Sequence, residues 1–525
     1  MMLLWLIIVP IAGGVLAALL GRRGDLWPRR VALLAATAQL VLAVALWGQC
    51  FSGADPAGNG IWRAELQWTW IPQFGISFHL AVDGLSVVLI LLTSFIGIMA
   101  VASSWREIHE RAGLFHLNLM LVLAGITGVF LAVDLFLFYF FWELMLVPMF
   151  FLIDIWGHEE RHAAAVKFFI FTQLSSLFML LAILGLYFVH GRNTGTYTFE
   201  YTALLGTPMG QAAAMWLMLG FFVAFLVKLG AVPLHMWLPD AHTEAPTAGS
   251  VILAGLLLKT GGYGMLRFVL PLFPQAAHSA APIMMGIAVF GIIYGAVMAF
   301  SQTDLKRLVA YTSVSHMGFV LLGAFAWNAL STRGALVQMV AHGLSTGGLF
   351  MLVGALQERI HTRDVSRMGG LWSTAPRLAG VGLFLALASM AIPGMGNFIG
   401  EFLVLLGTWS VSIPAAAVAV LGMVASAIYS LWLVQVTFHG PNKEGWKVPD
   451  FSARESAVAT ALIVAIVWIG LYPKAVLGTA GPALDAMRET SVVAAAPGPL
   501  EAGFPLVPVQ PESAASSATA RGGRP

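Results

Sequence analysis

FFVAFLVKLGAVPLHMWLPDAHTEAPTAGSVILAGLLLKTGGY, residues 221–263, sets two apolar runs on either side of a proline-rich break. Each run carries one lysine in its middle, Lys228 and Lys259, and the break holds Pro233, His235, Pro239, Asp240, His242 and Pro246. A charge at bilayer depth is costly and marks a functional site by default. A helix interrupted there frees backbone groups that lipid cannot satisfy, so the break must be enclosed by protein or line a wet cavity. These two constraints organise the reading of the remaining chain.

The chain of 525 residues is 59% apolar and 10% charged, against about 25% charged in an ordinary soluble domain. Repeated apolar runs of about 20 residues read as membrane-spanning helices, so the fold class is an all-α polytopic membrane protein, a single bundle. The net charge of +2 is dispersed, which argues against nucleic acid. The one cysteine, Cys50, excludes an intrachain disulfide and a cysteine-held metal or iron–sulfur centre. The N-terminal run lacks a basic leader and its arginines follow it, so it reads as an uncleaved first helix starting outside.

About fourteen spans are expected: 2–20, 30–50, 79–103, 113–131, 133–153, 165–190, 211–232, 246–270, 282–301, 305–324, 334–356, 377–410 with a break, 413–438 and 456–473. Loop cations concentrate after odd-numbered spans, among them Arg22, Arg23, Arg106, Lys306, Arg307 and Arg363, while the even-numbered loops hold Arg63, Arg192, Arg267 and Arg333. The positive-inside rule then puts both termini on the outer side. The segment from about Ser491, rich in Ala, Pro, Gly and Ser, reads as a loosely ordered tail.

The break in helix seven at Pro233 is matched by Pro393-Gly394-Met395-Gly396-Asn397 in helix twelve, five helices later. A five-helix unit repeated in tandem must invert, and paired broken helices point to a transport site. The organisation expected is 1–112 for helices one to three, 113–270 for a first repeat, 271–438 for a second, 439–490 for helix fourteen and 491–525 for the tail.

Further ionisable groups sit inside the spans. Glu143 follows Asp134 by nine residues, or roughly 13 Å of helix, which places it near the midplane. His316 and His342 are central in helices ten and eleven, near Thr312, Ser313, Ser315 and Ser345, and Glu401 follows the second break. A bland reading exists for each: a lysine snorkelling to the headgroups, a neutral glutamic acid, a packed core histidine. The lysines are too central to snorkel, and the series Glu143, Lys228, Lys259, His316, His342, Glu401, with His235 after the break, is the pattern of a proton relay. The histidines lie on separate helices, so no metal-ligand spacing appears, and no glycine-rich nucleotide loop is present. The sequence thus predicts a transporter without a redox centre of its own.

HLAVDGLSVVL (79–89), FYFFWELMLVPMFFLI (138–153), residues 228–264 and QTDLKRLVAYTSVSHMGFV (302–320) resemble the proton-translocating antiporter-like subunits of respiratory complex I, the NADH:quinone oxidoreductase. The resemblance runs from the first helix to about Tyr472 and is nearest the M type, since GNFIGEF (396–402) carries Glu401 where the L and N types carry a lysine. It implies a fourteen-helix fold with two inverted five-helix repeats. It assigns proton translocation to Glu143, Lys228, Lys259 and Glu401, and a polar axis to His235, His316 and His342. It also implies a bacterial inner membrane, neighbours of the L and N types in a membrane arm, and NADH, FMN, iron–sulfur clusters and quinone in partner subunits rather than in this chain. A sodium/proton antiporter subunit or a membrane-bound hydrogenase subunit shares these motifs and is the alternative. A purely structural spacer is the third reading, against which stands the cost of burying charges where leucine would serve.

One magnitude bears on mechanism. Charges about 7 Å apart at an effective dielectric of about 20 interact by roughly 2.4 kcal/mol, and moving one charge against about 100 mV costs roughly 2.3 kcal/mol. A single Glu143–Lys228 switch is barely sufficient, so a linked series of groups is the expected device, with His235 carrying the proton from Lys228 to Lys259.

Overall fold

The computed structural model describes residues 1–51 and 62–495. Its helices are α1 (Met2–Leu20), α2 (Leu26–Phe51), α3 (Gly84–Ser103), α4 (Ala112–Leu131), α5 (Leu135–Trp156), α6 (Arg161–Thr194) and α7 (Gln211–Leu229, then Trp237–Glu244). They continue as α8 (Thr247–Leu272), α9 (Pro274–Phe300), α10 (Leu305–Phe325), α11 (Ala329–Ile360), α12 (Pro376–Ser389, then Gly396–Trp409), α13 (Ile413–Phe438), α14 (Ala453–Leu471) and α15 (Lys474–Ala495). Among the described residues thirteen are long and apolar enough to cross a membrane, and the two short halves of α12 occupy the place of the remaining expected span. The expected count and both expected breaks are therefore present.

The breaks have local causes. The first half of α7 ends where Gly230 takes a left-handed conformation (φ 73°), and Pro233 follows. The first half of α12 ends at Ser389, with Ala391 and Gly394 at positive φ around Pro393. Proline lacks the N–H that would continue the ladder.

Helices α8 and α10 are wholly enclosed by other helices and α11 nearly so, whereas α1, α2, α6, α9, α13 and α14 turn much of their surface outward. That outer ring carries Leu34, Ile170, Leu181, Ile283, Phe290 and Val464, apolar residues suited to lipid. The helices bearing Lys259, His316 and His342 are thus the ones lipid does not touch.

Three expectations need correction. Helix three does not begin at 79: Ala64–Ile71 and Ile76–Val82 form an antiparallel hairpin turned by Pro72–Phe74 and Gly75 (φ 65°), and Asp83 then caps α3 by accepting from the Ser86 amide. Alternating Trp, Thr, Ile and Phe favour a strand, a signal hidden beside the apolar run of α3. Lys306 and Arg267 are not loop cations. Lys306 is buried at the start of α10, where its amine donates to the Ala245 carbonyl, and Arg267 is buried within α8 in an ion pair with Asp83. Finally, 439–490 holds two helices, α14 and α15, and α15 extends to Ala495; the rest of the expected tail, 496–525, lies outside the described residues.

The proposed repeats gain support from the backbone. Asp134 caps α5 and Asp304 caps α10, each accepting from the amides two and three residues on. Beside each cap a two-bond bridge joins the helix start to the segment leading into a broken helix. Leu135 N–H donates to Phe199 and Tyr201 N–H to Val133, at 2.9 and 3.1 Å. Leu305 N–H donates to Arg363 and Val365 N–H to Thr303, both at 2.9 Å. The same joint thus occurs at the start of the second helix of each five-helix unit, which favours the proposal of two copies over 113–270 and 271–438.

The hairpin is fastened to the loop after α6 through His79, whose Nδ1 lies 2.7 Å from Glu200 and Nε2 2.7 Å from Glu65. Asp134 accepts from the Ser77 amide beside it. Burial alone would push the imidazole down, but the Glu200 hydrogen bond and the charges of Glu200 and Glu65 outweigh it and hold His79 above its ordinary value. Burial would likewise raise Glu200, but hydrogen bonds from His79 and Ser77 hold it below the ordinary carboxylate value. A raised histidine stabilises below its unfolded pKa and loses this as pH rises through the folded one; a depressed carboxylate loses its contribution as pH falls through its own. The clasp is therefore firmest from the ordinary glutamate value up to the ordinary histidine value. Hydrogen exchange of amides 64–82 in the detergent-solubilised protein, corrected for intrinsic rates, should speed up as pH is raised past neutrality. His79→Phe should exchange fast at every pH.

Candidate functional site

The centre of the bundle is built around Lys259. The stretch Leu253–Leu257 of α8 is wound as a π-helix, as is Met265–Val269, so the lysine lies between two wider turns. Such turns recur at functional sites. The Lys259 amine donates to the Ala254 carbonyl within the first wide turn and lies 2.6 Å from His342 Nδ1 on α11. Close approach of the two helices permits this: a Cβ on Gly343 would sit 2.8 Å from the Gly255 carbonyl oxygen.

From His342 the series continues inward. Its ring lies 5.5 Å, centroid to centroid and edge-on, from that of His316 on α10. His316 Nδ1 is 2.9 Å from Glu401 Oε1 on the second half of α12. The other ring nitrogen of His316 meets the hydroxyls of Tyr429 (3.2 Å) and Ser389 (3.3 Å). Lys259, His342 and Glu401 are fully buried and His316 is 1% exposed. Four residues from four helices thus form one line, with a single gap between the two imidazoles.

The other expected pair is looser. Lys228 ends the first half of α7, where a Cβ on Gly261 of α8 would meet the Phe225 carbonyl oxygen at 2.6 Å, so the two lysine-bearing helices touch backbone to backbone. Its amine is buried without a hydrogen-bond partner and lies over the rings of Trp142 (5.1 Å) and Phe168 (5.9 Å). Glu143 is the carboxylate that acts on it electrostatically, but the two are not within the 4.0 Å of an ion pair. Glu143 is only partly buried and one of its oxygens has no partner. Aromatic faces hold a cation in place of water.

No direct hydrogen bond joins His235 to either lysine among the described residues. The His235 ring packs edge-on against Tyr294 (5.1 Å) and Tyr311 (6.2 Å), on the α9–α10 side. Thr312, Ser313 and Ser315 also stay off the line, since their hydroxyls donate to main-chain carbonyls of Val309 and Ile292. Ser345 accepts from Asn397 in the second half of α12. Residues the sequence reading left out are Gln338, Ser389 and Tyr429, which touch His316 or Glu401; His242, noted in the break without a role, stacks its ring on Phe350 at 4.6 Å with neither nitrogen partnered. Gln338 carries one sequence signal, its place one turn before His342 on the same helix face. Among the described residues no cluster of histidine, cysteine or carboxylate could hold a metal ion.

Such a line of enclosed acid, base and amine is suited to passing protons, which need only short steps between donors and acceptors, and is poorly suited to substrates that need a cavity. Comparison with known proteins agrees in kind. Residues 132–428 match the NADH:quinone oxidoreductase/Mrp antiporter transmembrane family. NADH-quinone oxidoreductase subunit M of Escherichia coli (strain K12) is 51% identical over 498 residues, 93% of this chain and 98% of the relative. The subunit M of Pseudomonas aeruginosa is 48% identical over 497 residues, again 93% and 98%. Among solved structures, a chain of respiratory complex I from Thermus thermophilus with bound NADH superposes with a TM-score of 0.84 at 33% identity, covering 94% of this chain and all of that one. A chain of the Mrp complex from Dietzia sp. DQ12-45-1b superposes with a TM-score of 0.80 at 21% identity over 94% and 98%, a likeness of fold. This chain belongs to the family of NADH-quinone oxidoreductase M subunits, within the wider family of complex I and Mrp antiporter membrane chains.

Proposed function

We propose that this chain is a proton-translocating membrane subunit of an NADH:quinone oxidoreductase, in which protons pass along the enclosed series Lys259, His342, His316 and Glu401. The observation that carries this is the continuity of the series: two contacts of 2.6 and 2.9 Å joined by a 5.5 Å imidazole pair, all four side chains buried inside the bundle. The relatives' name, NADH-quinone oxidoreductase, supports redox chemistry between NADH and a quinone in partner subunits that also hold FMN and iron–sulfur clusters, with L-type and N-type chains flanking this one in the membrane arm. In that setting the membrane is the bacterial inner membrane, with both termini on the periplasmic side, as the loop cations indicate.

Glu143 and Lys228 act as the loading switch. The ammonium is held by rings rather than by a contact carboxylate. Its charge state therefore responds to the distance of Glu143, and an aromatic face supplies about 0.5–2 kcal/mol of attraction. That is of the same order as the roughly 2.3 kcal/mol needed to move one charge against about 100 mV. His235 contributes from the α9–α10 side, beside Tyr294 and Tyr311, rather than as the direct step between the lysines.

Glu143→Gln and Lys228→Ala in the intact complex should abolish NADH-driven acidification across proteoliposomes and slow coupled quinone reduction; full pumping in both would end this assignment. Glu401→Gln and His342→Leu should each cut pumping by about tenfold or more, with NADH oxidation by artificial electron acceptors unchanged. Sodium-driven transport by the isolated chain without NADH or quinone would favour the antiporter reading instead. A periplasmic reporter enzyme fused after Leu471 should be active if that end of α14 faces outward.

A further inference from the structure

The contact between His316 and Glu401 is not made by those two residues alone. Gln338 of α11 is fully buried, and its Nε2 lies 3.0 Å from Glu401 Oε1 and 3.3 Å from His316 Nδ1. Its position leaves it little freedom. Glu401 follows Gly400, and a Cβ on Gly400 would meet Gln338 Oε1 at 2.6 Å and the Gln338 backbone at 2.7 Å. The helices touch where the amide sits. The orientation of the amide follows from chemistry: turned the other way, its oxygen would face a carboxylate oxygen, two acceptors with no proton between them. Gln338 Oε1 and Glu401 Oε2 are both buried without a partner, so the nitrogen side is where the amide is engaged.

We propose that Gln338 is a positioning residue for the last step of the relay, its amide N–H moving between Glu401 Oε1 and His316 Nδ1 as the proton moves the opposite way. This rests on the relay reading above and deepens it. Before the step, His316 carries a proton on Nδ1 and Glu401 is a carboxylate, and the amide donates to Oε1. In the step the Nδ1–H bond breaks and an Oε1–H bond forms; the imidazole becomes neutral and the carboxylate becomes an acid. Nδ1 then has a lone pair that first accepts from the new Oε1–H; once that O–H turns away to pass its proton on, the amide N–H donates to Nδ1 in its place. Across the ring, the hydroxyls of Tyr429 and Ser389 can donate or accept, so Nε2 stays partnered in either state. Each state keeps its hydrogen bonds without any helix having to shift. The bland alternative is that Gln338 merely satisfies a buried carboxylate.

The test uses the intact complex in proteoliposomes with Gln338→Met, which keeps the length of the side chain and removes the donor. A hydrogen bond to a charged group lost from the step should slow NADH-driven proton pumping by about ten- to hundredfold, with artificial-acceptor activity unchanged. The carboxylic-acid C=O infrared band of Glu401, identified as the one missing in Glu401→Gln, should shift in the variant. Should Gln338→Met not assemble, Gln338→Leu, which also lacks a donor, takes its place with the same expectations. Slowed pumping with an unmoved Glu401 band would show a structural role only and overturn the proposal. So would full pumping in the variant while Glu401→Gln is inactive. Full pumping in Glu401→Gln itself would instead overturn the relay.

Discussion

A cation in the middle of a hydrocarbon slab must be met by something in its own protein, and the structure around Lys259 is the answer to that requirement. Lipid offers no hydrogen bonds. The wide turn of α8 presents the Ala254 carbonyl, α11 presents His342, and glycines on both helices bring them close enough to do so. Once those helices are in contact, His342 faces His316, and α12 must break so that Glu401 can close the line. The enclosure of α8, α10 and α11 by the outer helices follows from the same need, since a polar line in contact with lipid would have no partners on one side.

The two halves of the series solve the same problem differently. Between Lys259 and Glu401 polar groups touch polar groups. At Lys228 the amine rests on rings, and its carboxylate stands off. Direct contact favours conduction along a fixed line, whereas a separated pair is sensitive to anything that alters the spacing. This division of labour suits a chain that receives a signal at one end and moves protons through the other.

How much of this was legible in the sequence depended on contrast. Lys228, Lys259, Glu143 and Glu401 stand out because charges inside apolar runs are rare, and the proline–glycine breaks beside them mark the two discontinuous helices. Spans were countable because lipid imposes a length. Gln338, Ser389 and Tyr429 were not seen: uncharged polar residues are common in such helices, and nothing in the local pattern says which of them a distant carboxylate will reach. Lys306 and Arg267 misled for the opposite reason. They lie near helix ends, where a cation normally meets water, yet each is buried against a partner far away in sequence, Ala245 and Asp83. The hairpin was hidden because its second strand runs straight into α3, and α15 because Gly478, Gly481 and Pro482 are poor helix formers whose position over α3, where Thr479 meets Gly84, is a tertiary matter. The contacts of the His235 ring with Tyr294 and Tyr311 were equally out of sight, since both tyrosines lie more than fifty residues away in sequence.

The glycines of α8 carry a consequence for how this chain can drift over evolutionary time. At Gly255, Gly261, Gly262 and Gly264 an added methyl group would collide with Ile96, the α7 backbone, Met339 and Phe225 respectively. The lysine helix is thus wedged from several directions at once, most firmly at Gly261, where the neighbour is main chain. A side chain at Gly261 would have main chain to push against, so that position has far less room to change than the greasy outer ring, whose only demand is to be oily.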